Sequence, residues 1–261
     1  MLVTTATVHG QTYRGKELTE VALVADSQTL VPGRPLLVGV HMKMAEGWHT
    51  YWKFAGDAGL GTEVEWTLPE GFRVSGLEWP MPHRFVEPGD ILVNGYKDEK
   101  LLMARLFPPR DLDQDEVTLT ARVSWLICER ICIPGEAEVS LTLRVSDQPQ
   151  PTHADLFRKF RDRLPVRSTP PFETAWERHG GSFRLTVRGV EEGRLDFFPL
   201  PPDQADAGHV RTDSRNGEWT ITIPVQNVPA HYRGLEGVLV LETEVNGEKA
   251  RRGWHLPRPR G

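Results

Sequence analysis

A chain of 261 residues accommodates one large β domain or two of ordinary size. With 31 basic against 36 acidic residues and a net charge of −5, it carries no basic footprint for nucleic acid. No apolar run approaches the roughly 18–20 residues that span a bilayer, while 24 glycines and 21 prolines suit many short strands joined by turns.

The start, Met1 to Thr7, has neither a basic n-region nor an apolar h-region. A cytosolic chain and a mature exported segment both fit that start. From about residue 15 to 145 the pattern is that of β structure: Leu36 to Met44 is an extended run, and Val64, Trp66 and Leu68 alternate with polar residues. Pro80, Pro82, Pro88 and Gly89 then predict a long irregular loop from Trp79 to Asp98, containing Phe85, Asn94-Gly95 and Tyr96. A loop of that length in a compact domain is either functional or a plain surface connection.

The clearest hairpin carries the two cysteines of the chain, Cys128 and Cys132. Val117, Leu119, Ala121, Val123, Trp125 and Ile127 share one face of its first strand, and Ala137, Val139, Leu141, Leu143 and Val145 share one face of its second. By that alternation both thiols emerge opposite the core set, across the turn Glu129-Arg130-Ile131, unless a bulge at Pro134 shifts the second strand. As a staple the pair is poorly placed. A ring this small is worth about 2 kcal/mol in the chain-entropy account, against about 4.7 for a 100-residue loop. Thiol exchange fits better, because it needs an accessible thiolate and a resolving partner close by. Arg130 favours the thiolate and Glu129 opposes it. Inert cysteines and a metal site remain open alternatives at this level.

The metal alternative has a specific form. Dinuclear copper sites of the cytochrome oxidase subunit II type add a His four residues and a Met seven residues beyond the second Cys; Glu136 and Val139 stand there instead. The Sco-type copper proteins also use Cys-x3-Cys, but in a fold whose helix after the first Cys has no counterpart here. A copper-binding module built from Cys128, Cys132 and a distant His such as His83 is the remaining form.

After Asp147 to Pro151 the chain changes character. Leu156, Phe157, Phe160 and Leu164 fall at helical spacing within Ala154 to Leu164, predicting a short amphipathic helix packed on a neighbouring domain and ended by Pro165. Alternation returns with Phe183, Leu185, Val187, then Trp219, Ile221, Ile223, Val225, then Val238 and Val240. This predicts a second all-β domain, a spacer or docking unit, whose last strand holds Trp254-His255. The expected organisation is all-β throughout: residues 1–148, a linker with a short helix over 149–171, and residues 172–261.

Several segments carry a family resemblance: Gly47 to Lys53 (Gly-Trp-His-Thr-Tyr-Trp-Lys), Gly56 to Leu60 (Gly-Asp-Ala-Gly-Leu), Trp79-Pro80, Gly95 to Glu99 (Gly-Tyr-Lys-Asp-Glu) and Cys128 to Ala137. Together they resemble the periplasmic N-terminal domain of the DsbD/ScsB thiol:disulfide interchange proteins, over about residues 15–148. The Cys-x3-Cys spacing and the extra C-terminal segment are more similar to the ScsB branch. The resemblance implies immunoglobulin-like sandwiches and protein-disulfide reduction without a cofactor. It implies a location in the periplasm, with the signal peptide absent from this sequence. Electrons would come from a membrane-embedded or thioredoxin-like donor and pass to exported thioredoxin-fold partners. It also implies roles: Cys132 forms the mixed disulfide with partners, Cys128 resolves it, Phe85 shields the sulfurs from a cap loop, and Tyr51, Trp52 and Tyr96 line the same surface. Trp52 serves equally well as a core aromatic.

Overall fold

The computed structural model describes residues 15–259. The reading of Met1 to Thr7 lies outside them. After a short 3-10 turn at Gly15–Leu18, eleven strands follow: β1 Thr19–Ala25, β2 Thr29–Leu30, β3 Leu36–Met44, β4 His49–Gly56, β5 Glu63–Thr67, β6 Arg73–Val74, β7 His83–Glu87, β8 Ile91–Lys97, β9 Glu99–Phe107, β10 Glu116–Cys128 and β11 Cys132–Val145. Helix α1 spans Ala154–Arg161. The second half adds β12 Glu173–His179, β13 Ser182–Arg188, β14 Arg194–Leu200, β15 Asp206–Ala207, β16 Arg211–Arg215, β17 Glu218–Gln226, β18 Glu236–Val245 and β19 Glu248–Leu256.

The all-β expectation holds. In the first half a four-stranded sheet, β1-β3-β9-β6, faces a sheet ordered β2-β11-β10-β4-β8-β7, to which β5 adds along β10. The alternation on β10 places Val117, Leu119, Ala121, Val123, Trp125 and Ile127 in the core, each almost wholly buried. Across the hairpin, Ala137 and Leu143 are buried, and Val139, Leu141 and Val145 pack on the same cluster. Gly135 pairs with Trp125, and a Cβ there would lie 2.3 Å from the indole, so the position has room for no side chain.

Phe157 and Phe160 of α1 are buried with Leu101 and Met103, residues of β9 that face away from the first core. The helix therefore covers the outer face of the four-stranded sheet, as its apolar stripe predicts. In the second half, β12-β13-β17-β15 with β16 packs on the three-stranded sheet β14-β18-β19. Phe183, Leu185, Val187, Ile221 and Ile223 fill that core. Phe198, Val238 and Val240 turn from β14 and β18 to the opposite side and join the first core cluster. The two sandwiches thus meet through an apolar seam, in which the rings of Trp52 and Phe198 lie edge to face at 6.1 Å. Among the described residues no helix is long and apolar enough to cross a membrane.

One expectation fails. Trp79 to Asp98 is not an irregular loop: His83–Glu87 and Ile91–Lys97 pair as an antiparallel hairpin that extends the sheet beside β4. The turn falls at Gly89 and Asp90, both with positive φ. Asn94-Gly95, a turn signal by composition, sits inside β8, where Gly95 is needed for close approach: a Cβ there would lie 2.1 Å from the Thr50 carbonyl oxygen.

Candidate redox site

The site forms where β10, β11, β4 and the β7–β8 hairpin converge. Cys128 closes β10 and Cys132 opens β11, directly paired in register across the turn 129–131. They form a disulfide with a Cα–Cα separation of 4.3 Å. Both lie off the first core, as the alternation implies, yet their surroundings differ. Cys128 is 2% exposed, enclosed with Tyr51, Ala55 and Val93, while Cys132 is exposed. Parity alone did not predict that difference, because the cover over Cys128 comes from β4 and the β7–β8 hairpin.

Tyr51 stands over the sulfurs. Its hydroxyl oxygen is 2.7 Å from Cys128 Sγ, 3.2 Å from Cys132 Sγ and 2.8 Å from Glu87 Oε1. A phenol has one proton to donate, and a carboxylate is a stronger acceptor than a disulfide sulfur, so in this oxidised state the proton points to Glu87. Burial, then the hydrogen bond and charge of Glu87, push the Tyr51 pKa far up, and the phenol stays protonated. Gly59 makes the ring position possible: at φ 95° it packs so closely that a Cβ would lie 2.4 Å from the Tyr51 ring.

Glu87 also accepts from His49, whose Nε2 is 2.7 Å from the same Oε1. Burial lowers the His49 pKa, against the raising influence of Glu87, and a neutral imidazole donating from Nε2 fits the contact. Phe85 packs against the Cys128 cluster and lies 5.4 Å from the His49 ring, with Lys97 Nζ 4.7 Å above its own ring. Neither Glu87 nor His49 stood out as a site residue in the sequence. Strand parity carries the missing signal: Glu87 follows Phe85 by two on β7, and His49 precedes Tyr51 by two on β4.

The expected site residues divide. Tyr51 and Phe85 gather at the cysteines. Trp52 points to the opposite face of β4 and is buried in the first core at the seam. Tyr96 is likewise a core residue, 4% exposed, donating its hydroxyl to the Pro80 carbonyl at 2.7 Å. Strand alternation explains both, because Trp52 neighbours Tyr51 on β4 and Tyr96 pairs with Thr50, also on the core side.

For metal binding, a Glu87 oxygen and the two Sγ atoms lie within 4.8 Å of one another. The sulfurs are joined to each other and are not free ligands in this state. His83 is not part of that group; its Nε2 is 3.1 Å from an Arg251 nitrogen. Lost solvation, and next the charge of Arg251, push its pKa down to about 4.

What this arrangement can do is cycle between a disulfide with one exposed sulfur and a dithiol whose buried member sits beside a fixed hydroxyl. Residues 20–144 match the family model of the N-terminal domain of the thiol:disulfide interchange protein DsbD. Among solved structures, the N-terminal periplasmic domain of ScsB from Proteus mirabilis shares the fold. It aligns over 95% of this chain and 97% of its own, at 18% identity and a TM-score of 0.67. The E. coli chaperone DraB, at 11% identity over 92% of this chain and 97% of its own, reaches a TM-score of only 0.22. No curated protein matches the chain in sequence. Residues 20–144, with their cysteine pair, are thus similar to DsbD N-terminal domains and form a thiol–disulfide exchange module on an all-β scaffold.

Proposed function

We propose that the protein is a periplasmic protein-disulfide reductase module that passes electrons from a membrane-embedded or thioredoxin-like donor to exported thioredoxin-fold partners. In this reading residues 1–148 hold the redox centre, residues 149–171 link, and residues 172–261 form a second sandwich. The observation that carries it is the asymmetry of the pair: Cys132 is exposed and Cys128 is 2% exposed, directly opposite it in register.

In the reduced protein the Cys132 thiolate attacks a sulfur of the partner disulfide. One partner sulfur leaves as a thiolate and takes a proton, and a mixed disulfide remains. The Cys128 thiolate then attacks Cys132 Sγ and expels the second partner sulfur. Two electrons have moved to the partner, and the protein is left with the disulfide described above. A donor dithiol reverses the sequence. Tyr51, held protonated, donates to the Cys128 thiolate as it forms. Phe85 shields Cys128 between encounters.

Ile131, 64% exposed on the cysteine turn, is the apolar side chain that a docking partner would meet beside the sulfurs. The test is exchange between the reduced protein and an oxidised thioredoxin-fold protein, followed by the redox state of both. Transfer that Cys132→Ser abolishes supports the reading; absence of exchange, or exchange untouched by Cys132→Ser, sinks it.

A further inference from the structure

The β7 strand that carries Phe85 is the outermost strand of its sheet and pairs only with β8. Five residues paired along one edge are a weakly held element, of the kind that opens locally before the rest of a domain. Here the strand has a second set of anchors, and they come from the other sandwich.

Arg84 lies next to Phe85 and points to the opposite face. Its Nη1 is 3.2 Å from Asp196 Oδ1, and its Nη2 donates to the Phe197 carbonyl at 2.8 Å. Its guanidinium stacks 5.1 Å over the Phe198 ring. All three partners are on β14. The preceding residues are held from β19: Arg251 Nη2 donates to the Pro82 carbonyl at 2.7 Å, and Arg251 is itself paired with Glu242 at 2.8 Å. Met81 packs so closely on Gly253 that a Cβ there would lie 2.5 Å from its sulfur. The planar fork of Arg84 meets a carboxylate, a carbonyl and an aromatic face together, a combination that an ammonium group does not reproduce.

We infer that the second sandwich clamps the cap: Arg84, supported by Arg251, is a positioning residue that holds β7 and thereby keeps Phe85 over Cys128. Phe85 packs against the Cys128 cluster, so solvent reaches Cys128 when Phe85 moves aside, and β7, which carries Phe85, is anchored in β14 and β19. The second sandwich is then a regulator of access to Cys128, not a spacer. The inference rests on the reading of Phe85 as the shield.

The experiment is a double-mutant cycle on the full chain. A neutral alkylating reagent is reacted with the reduced protein, and the rate of Cys128 modification, resolved from that of the exposed Cys132 by peptide mass analysis, is measured for wild type, Phe85→Ala, Arg84→Ala and the double variant. Phe85→Ala and Arg84→Ala are each expected to raise the rate several-fold, and the double variant to exceed the faster single by less than twofold. Arg84→Lys is expected to fall between wild type and Arg84→Ala. Truncating Arg84 leaves the Asp196 carboxylate buried without its partner, so Arg84→Met with Asp196→Asn provides the same comparison without a stranded charge.

A wild-type rate in the Arg84 variants, with a raised rate in Phe85→Ala, overturns the clamp and leaves the shield standing. Fully multiplicative effects in the double variant also overturn it, because Arg84 would then act independently of Phe85. An unchanged rate in Phe85→Ala overturns the shield itself, and the clamp with it. A loss of thermal stability alone moves none of these comparisons, since the modification is run far below each variant's melting temperature.

Discussion

The Tyr51 hydroxyl oxygen lies 2.7 Å from Cys128 Sγ, so the buried sulfur has a fixed donor in reach the moment it becomes a thiolate. A hydrogen bond to a charged group is worth about 1.5–3 kcal/mol, or about 1–2 pKa units. Tyr51→Phe is therefore expected to raise the Cys128 thiol pKa by about that amount and to lengthen the life of mixed disulfides. Titration of thiolate absorbance in the reduced protein checks the first, and quenched exchange the second. An unchanged titration removes Tyr51 from the account.

Glu87 has the opposite sign. Its carboxylate lies within 4.8 Å of both sulfurs, and a negative charge that close disfavours a second one. Glu87→Gln is expected to lower the thiol pKa by roughly one unit and to speed alkylation at neutral pH. The same titration decides it, and a rise in the pKa contradicts the assignment.

Much of this was legible in the sequence, and the parts that were not have a common cause. Alternation identified the core face of β10 and β11 and kept both cysteines off it, because one strand's parity is a local property. The cover over Cys128 was not legible, since it depends on how β4 and the β7–β8 hairpin pack against β10. The same limit hid Glu87 and His49 and placed Tyr96 at the site although it faces the core; Trp52, which suited either place, follows Tyr51 on β4 and faces the core too. Prolines at 80, 82 and 88 read as loop punctuation, although they flank β7 and leave its ladder intact.

Lys100 gives a pH signature that owes nothing to the cysteines. It is fully buried, donates to Thr62 Oγ1 at 2.6 Å and lies near the rings of Trp79 and Tyr96. Burial pushes its pKa down to about 7. The folded value is below the unfolded one of 10.5, so between those values the unfolded chain holds more protons and this group makes stability rise with pH. The slope from one such group is about 1 kcal/mol per pH unit. Urea unfolding at pH 7 and 9 is expected to show that rise in wild type and to lose it in Lys100→Met. Equal pH dependence in the two proteins contradicts it.

Ile131, 64% exposed on the cysteine turn, separates docking from chemistry. Ile131→Ser removes apolar contact without touching either sulfur, so exchange with a thioredoxin-fold protein is expected to slow by about tenfold, the equivalent of roughly 1.4 kcal/mol. Reduction by a small dithiol should stay at the wild-type rate. Equal slowing of both reactions places the effect in the site and not in docking.

The central claim is that the exposed Cys132 meets the partner and the buried Cys128 resolves. Trapping of the mixed disulfide tests it most directly. Cys128→Ser, with Cys132 free, should accumulate a covalent, reductant-sensitive adduct with an oxidised thioredoxin-fold protein, because nothing is left to release it. Cys132→Ser should accumulate none. Adducts formed equally by both variants, or only by Cys132→Ser, would contradict the account.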